Sequence, residues 1–245
     1  MEFDELKKRL DSIIDKAYQG GVTLLPFLDE GEEAYIRDEL SHHQTLYLYS
    51  DGKIIDSSRK RFIITPYENN NLDFKIVVYK IIYNKKFYEM NHRSILGSLM
   101  GLGIKRECIG DIVIEDNKDS YFAVTEEISP FIKNELRQIG KCQIDLMEYD
   151  KPINNIIKYE TKTTFVSSLR LDSVVSLAIG KSRGDAQDLI YQGLVTLNYK
   201  ICQNNSEVIR EGDSISVRHH GKYLISHVGG KSKSGRTIID ISKRI

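Results

Sequence analysis

Leu169–Asn198 reads LRLDSVVSLAIGKSRGDAQDLIYQGLVTLN, and the interpretation of the whole chain turns on it. Leu171, Val174, Val175 and Ala178 fall on one helical face, which predicts a short amphipathic helix. Gly180 ends that helix. Ser182 has Asp185 three residues on, the spacing of a capping box. Ala186, Leu189 and Ile190 continue a second helix, and Gly193 stops it. Val195 and Leu197 alternate as a strand, and Asn198-Tyr199-Lys200 supplies a turn. Gly212-Asp213 marks another turn, and SISVR alternates again. The expectation is two short helices packed on a small sheet.

Charge points to the same region. The 245 residues carry 35 basic and 35 acidic side chains, a formal net charge of zero. Residues 1–168 hold 23 basic against 28 acidic, whereas residues 169–245 hold 12 against 7. A neutral chain with one basic end suggests a localised polyanion-binding module.

Outward from there, length alone suggests two or three domains. In residues 1–71, Phe3, Leu6, Leu10, Ile13, Ile14 and Ala17 recur at helical spacing up to Gly20-Gly21. A second helical stretch, FLDEGEEAYIRDEL, follows Pro26. TLYLYSDGKII then alternates around Asp51-Gly52, a hairpin signal. Arg59-Lys60-Arg61 leads into a short apolar strand and is a local basic spot, because this segment holds 9 basic against 14 acidic residues. Asn69-Asn70-Asn71 reads as a linker.

Residues 72–150 repeat elements in the order βαββαβ, that of ferredoxin-like and RNA-recognition-motif folds. The strands are LDFKIVVYKIIYN, CIGDIVIED, SYFAVTEEI and CQIDLMEY. The helices are HRSILGSLMGLG, with apolar Ile95, Leu96, Leu99 and Met100, and SPFIKNELRQIG, with Ser129 as N-cap, Pro130 at N1 and Gly140 at its end. No aromatic-rich RNP1 string is present. Tyr121 and Phe122 are neighbours on one strand and so point to opposite faces. They are read as packing residues. Residues 151–168 are a polar, β-leaning connector, and residues 169–245 form the basic module with its basic C-terminal extension. The fold class is α+β in three modules.

No metal, cofactor or small-molecule substrate is expected. The six histidines make no H-x-x-x-H or H-x-E arrangement. Cys108, Cys142 and Cys202 are scattered, without a CxxC pair, which fits a reducing compartment. Gly97, Gly101 and Gly103 lack the strand–loop–helix order of a nucleotide loop. With no apolar run of membrane-spanning length, the chain is expected to be cytoplasmic. It is also expected to be a monomer.

Residues 169–222 resemble an S4 (αL-type) RNA-binding domain. The anchors are Arg170-Leu171-Asp172 at a helix start, Ser182-Arg183 at the second helix, the Ile-x-x-Gly-x-Val step of residues 190–195 running on to Asn198, and Gly212-Asp213 before a strand. Leu197 stands where Val is usual. Upstream, GSLMGLGIKRECIGDI and SSRKRFIITP resemble the YlmH family of bacterial S4-domain proteins, and the likeness covers nearly the whole chain. It implies RNA binding to rRNA or tRNA, on the large ribosomal subunit and its stalled peptidyl-tRNA complexes, with genes often linked to cell division.

The basic residues suit such binding on their own chemistry. Lys181 and Arg183 flank Ser182 at a helix N-terminus, where backbone N–H groups and the helix dipole attract phosphate. Arg170, Asn198, Tyr199 and Lys200 extend the surface, Arg218, Lys222 and GGKSKSGR (229–236) are expected to supply mobile cations, and Lys105 and Arg106 form a second candidate spot in the middle module. Two rival readings stand beside this one, an RNA-modifying enzyme and a cell-division adaptor. In pseudouridine synthases a similar triplet carries the catalytic aspartate. Here Asp172 lies inside the S4-like run itself, so it is read instead as a helix cap or the partner of a nearby arginine.

Overall fold

The computed structural model describes residues 3–69, 71–155, 158–233 and 235–244, without the side chains of residues 3–5. They divide into two compact units, one reaching to Asn155 and the other following it.

The first unit opens with α1 (Phe3–Tyr18), β1 (Thr23–Leu24), α2 (Glu30–Leu40), β2 (Tyr47–Asp51) and β3 (Arg61–Thr65). Leu6, Leu10, Ile13, Ile14 and Ala17 are all buried, as the helical spacing predicts; the Phe3 side chain lies outside the described residues. α2 starts at a capping box between Asp29 and Glu32. The small sheet runs β1-β3-β2, and Phe62 and Ile64 pack on the helices.

The Asp51-Gly52 turn is real but closes no tight hairpin. Lys53 N–H donates to Asp51 Oδ1 at 2.7 Å, as an Asx-turn does. The partner of β2 is β3, with Asp51 opposite Arg61. Ile54 is instead buried beside Phe27, Val78 and Ile153, and burial of that side chain outweighs local pairing. Arg59 and Arg61 form no surface patch. Arg59 donates to the carbonyls of Ile109 and Phe27, and Arg61 to those of Leu25, Phe74 and Lys75. Such bonds let a guanidinium be buried without orphaning its donors.

The unit continues with β4 (Ile76–Ile82), α3 (His92–Gly101), β5 (Ile109–Ile114), β6 (Ser120–Thr125), α4 (Ser129–Glu135), β7 (Gln138–Ile139), β8 (Cys142–Gln143) and β9 (Asp145–Glu148). The sheet is antiparallel in the order β5-β6-β4-β9. To the expected βαββαβ elements the structure adds the short β7–β8 hairpin between α4 and β9. One face packs on α3 and α4 through Phe122, Ile95, Leu99 and Ile132. The opposite face, carrying Tyr121, is covered by Phe27, Ile54 and Ile153. Tyr121 and Phe122 are therefore both core residues, one on each side.

The second helix is shorter than its pattern. It ends at Glu135, and Gly140, in the left-handed region at φ 59°, turns the β7–β8 hairpin. Ser129 is the first helical residue rather than the cap, and its hydroxyl meets Tyr79 Oη at 2.6 Å.

The second unit is one six-stranded antiparallel sheet with two helices. Its elements are β10 (Tyr159–Val166), α5 (Leu171–Ile179), α6 (Arg183–Tyr191), β11 (Val195–Leu197), β12 (Lys200–Ile201), β13 (Ser214–Val217), β14 (Gly221–Lys231) and β15 (Thr237–Arg244), in the order β10-β15-β14-β13-β11-β12. Tyr159–Val166, within the stretch read as a connector, pairs along its whole length with β15. Of the basic stretch 229–236, Gly229–Lys231 ends β14, Ser232 and Arg236 are hydrogen-bonded to each other, and residue 234 lies outside the described residues. Leu171, Val174, Val175, Ala186 and Ile190 pack on Val195, Ile215, Ile225 and Ile239. Each leucine, isoleucine or valine among them contributes about 1.5–3 kcal/mol on burial.

Candidate nucleic-acid interface

α5 and α6 are joined by a short turn that sequence dictates step by step. Gly180 takes a left-handed φ of 65° and ends α5. Ser182 then caps α6, its Oγ accepting from Asp185 N–H at 3.1 Å while the Asp185 carboxylate accepts from Ser182 N–H at 3.1 Å. The predicted capping box is present.

The turn delivers Arg183 to Asp172. Asp172 lies in the first turn of α5, and its side chain has no solvent exposure. Arg183 donates to it from Nε at 3.0 Å and from Nη2 at 3.0 and 2.9 Å. Arg170 donates from Nε and Nη2, each at 3.2 Å, and Gln187 Nε2 adds a bond of 2.9 Å. Burial by itself would raise this carboxyl's pKa. The bonds from Arg170, Gln187 and Arg183, with the Arg183 charge, outweigh burial and hold it well below the usual carboxylate range.

The two guanidiniums keep one side in water. The Arg170 side chain is 36% exposed and that of Arg183 is 50% exposed. Both pairs use the Nε and Nη2 edge, so neither Nη1 belongs to the grip on Asp172. Two fixed cations around one buried anion leave a net positive charge, with donors suited to an incoming phosphate.

The helix N-terminus itself is less open to phosphate than its sequence suggests. The capping box occupies two donors there, and the exposed Asp185 carboxylate adds a negative charge. Bonds from the Ser182 hydroxyl and backbone keep Asp185 ionised below its ordinary range. Lys181 is exposed, and its carbonyl accepts from Ser176 Oγ.

Two letter patterns are resolved by this geometry. Gly180-Lys181-Ser182-Arg183-Gly184 spells G-x-S-x-G, the nucleophile-elbow pattern. An elbow needs a strand before the serine. Here α5 precedes it, and Ser182 Oγ is engaged by Asp185. Arg-Leu-Asp occurs a second time as Arg9-Leu10-Asp11, inside α1, where Leu10 is core and Asp11 is exposed. The triplet alone is therefore not diagnostic.

The remaining candidates in this unit lie around β11 and β13, Asn198–Lys200 at one end of this strand pair and Arg218, whose N–H donates to the Leu194 carbonyl, at the other. Asn198 and Tyr199 form a two-residue turn between β11 and β12, with φ values of 47° and 67°. Asn198 is held in place by two side-chain bonds: its Nδ2 donates to Asp213 at 2.8 Å and its Oδ1 accepts from Ser214 N–H at 2.9 Å. Lys222 Nζ sits 5.8 Å from the centre of the Tyr199 ring. Lys200 is exposed on β12, and Arg218 is exposed in the β13–β14 turn. Lys105 and Arg106 lie in the first unit. Lys105 is exposed. Arg106 turns inward to the Ile109 and Gly110 carbonyls, and burial, then the neighbouring Arg59, lowers its pKa to about 10.

Sequence reasoning missed Gln187 as the third ligand of Asp172. The i, i+4 spacing from Arg183 was its only signal. Among the described residues, no group of histidine, cysteine and carboxylate side chains could hold a metal ion. None of the described helices is long and apolar enough to cross a membrane.

Residues 69–152 match the family model described as "Putative RNA-binding domain in YlmH", and residues 169–215 match the S4 domain. The chain is 33% identical over 231 residues to the ribosome-associated protein quality control protein P2 of Bacillus subtilis (strain 168), covering 91% of this chain and 87% of that protein. A solved structure, the cell division protein ylmH from Streptococcus pneumoniae, aligns with a TM-score of 0.52 at 20% identity, over 61% of this chain and 92% of that one. At that identity the likeness speaks to fold.

Proposed function

The chain belongs to the YlmH family of S4-domain proteins, and on that premise we propose that it is a cytoplasmic RNA-binding protein that works on the ribosome. Its target is structured rRNA or tRNA of the large subunit, including subunits stalled with peptidyl-tRNA. The observation that carries the reading is the Arg170–Asp172–Arg183 hub, two partly exposed arginine side chains aimed by a buried carboxylate. Preset donors of this kind suit phosphates held at fixed positions by a folded RNA, and they read shape and backbone more than bases. Lys181, Lys200, Arg218 and Lys222 add charge, and Tyr199 offers a ring.

The protein acts without catalysing a reaction. An aspartate that attacks a substrate must reach it, whereas Asp172 is enclosed by its own arginines. The kinship to a ribosome-associated quality-control protein supports the same site of action.

The test is binding of the purified chain to isolated large subunits across a salt series. The expected result is a steep linear fall of log K with log salt, with weaker binding and a shallower slope in the Arg170→Ala/Arg183→Ala double variant. Unchanged affinity and slope would rule out this surface. Loss of an rRNA modification in cells lacking the protein would favour an enzyme instead.

A further inference from the structure

The loop between β4 and α3 is built as a second contact. Residues 83–91 read Tyr-Asn-Lys-Lys-Phe-Tyr-Glu-Met-Asn, lysines beside aromatics. The loop is pinned along its length. Met90 is buried in the helix-covered core. Tyr83 Oη donates to the Lys118 carbonyl at 2.8 Å. The N–H groups of Phe87 and Tyr88 both donate to the Asn84 carbonyl, and that of Lys86 to Asn84 Oδ1. Lys85 Nζ reaches Asp119 at 2.7 Å, and Asn91 caps α3.

Within this fixed frame Phe87 is 71% exposed, and Tyr88 is also exposed. An unpinned loop could fold such a ring onto the protein. A hydrogen-bonded one holds it out in water, which is unfavourable for apolar surface. Lys86 Nζ lies 5.7 Å from the centre of the Phe87 ring. Arg93 is exposed in the first turn of α3. Residues 83–93 carry Lys85, Lys86 and Arg93 against Glu89 alone, so the segment is complementary to a polyanion.

We propose that this loop is a single-strand RNA contact, in which an unpaired base stacks on Phe87 and the flanking phosphates meet Lys86 and Arg93. It rests on the RNA-binding reading above and extends it to the first unit. Every base has a π-face and every nucleotide a charge, so an exposed ring beside cations accepts unpaired RNA with little regard to sequence. Lys85 is engaged by Asp119, so the phosphate contacts fall to its neighbours.

The test uses the full chain and two probes, a labelled oligoadenylate of about twelve nucleotides and a labelled RNA hairpin. Phe87→Ala is expected to weaken oligoadenylate binding at least about fivefold with an unchanged salt slope. Phe87→Tyr should restore it and Phe87→Leu should not, because stacking needs a ring. Lys86→Ala should lower the salt slope by about 0.7. Phe87 is exposed, so thermal unfolding should be unaltered in all three Phe87 variants. If Phe87→Ala binds oligoadenylate as the parent does while Arg183→Ala loses the hairpin, this proposal fails and the function above stands. If Phe87→Leu binds as well as the parent, the loop is an apolar docking point of another kind and the proposal fails. If the unaltered chain binds neither probe, both readings fail.

Discussion

Asp172 Oδ2 lies 2.9 Å from Arg183 Nη2, eleven residues further along the chain, and the two ends of the pair live in different environments. The carboxylate is closed off from solvent, whereas the guanidinium is half exposed. The buried end therefore sets the direction of the exposed end. Arg170 is held by the same carboxylate, so one residue orients both cations. Donors fixed before RNA arrives lose little rotamer freedom on binding.

Asp172→Asn keeps the shape and removes the charge. It places an amide against two guanidiniums that need acceptors. The expected cost to the second unit is about 2–4 kcal/mol, because hydrogen bonds to a charged group are lost at a buried site. Hydrogen exchange of the α5 and α6 amides measures this unit separately from the first. A loss under about 0.5 kcal/mol would mean the hub is not structural.

Acid should act through the same carboxyl. Its folded pKa is depressed below the ordinary 3.8, so the unfolded chain takes up its proton first. The stability it contributes is fully present above the ordinary carboxylate range and is lost as pH falls through and below it. In urea titrations from pH 6 down to about pH 2, the parent should lose more stability than Asp172→Asn. Parallel curves would show that the hub does not govern acid unfolding.

Arg183→Lys separates charge from geometry. Lysine keeps the cation but cannot make the two-pronged contact with Asp172. The salt slope of RNA binding should stay near that of the parent while affinity drops by about 1 kcal/mol or more. Equal affinity would make Arg183 a simple point charge.

Tyr199 sits at φ 67°, a conformation costing a non-glycine residue about 1–2 kcal/mol. Two-residue turns of this kind favour glycine at this position. Tyr199→Gly should therefore stabilise the β11–β12 turn by about 1 kcal/mol and weaken RNA binding. A variant that is more stable and binds equally well would remove the ring from the interface.

Arg61→Met tests the buried arginine of the first unit. Methionine fills similar space but abandons the Leu25, Phe74 and Lys75 carbonyls. The first unit should lose about 2–4 kcal/mol, with hydrogen exchange in α5 and α6 unchanged.

Much of the fold was legible in local sequence. The two short helices of the second unit, their glycine ends, the Ser182–Asp185 box and the βαββαβ order all follow from side-chain period and capping, which neighbours in sequence decide. The basic residues of the candidate interface were legible too. Partnership was legible at Asp172, read as a cap or an arginine's partner, and at few other places. Asp51-Gly52 signals a turn, yet β2 pairs with β3 because Ile54 finds a core elsewhere. Arg59-Lys60-Arg61 reads as a local basic spot, and only the fold shows that its two arginines serve backbone carbonyls. The stretch read as a connector contains a strand whose pairing partner lies far along the chain, where Tyr159 faces Arg244. Sequence by itself determined that Asp172 begins a helix and that Arg183 begins the next. Only the tertiary structure decided that these helices cross so that the aspartate is buried between two arginines, because the free energy of a buried charge depends on which groups close around it in space.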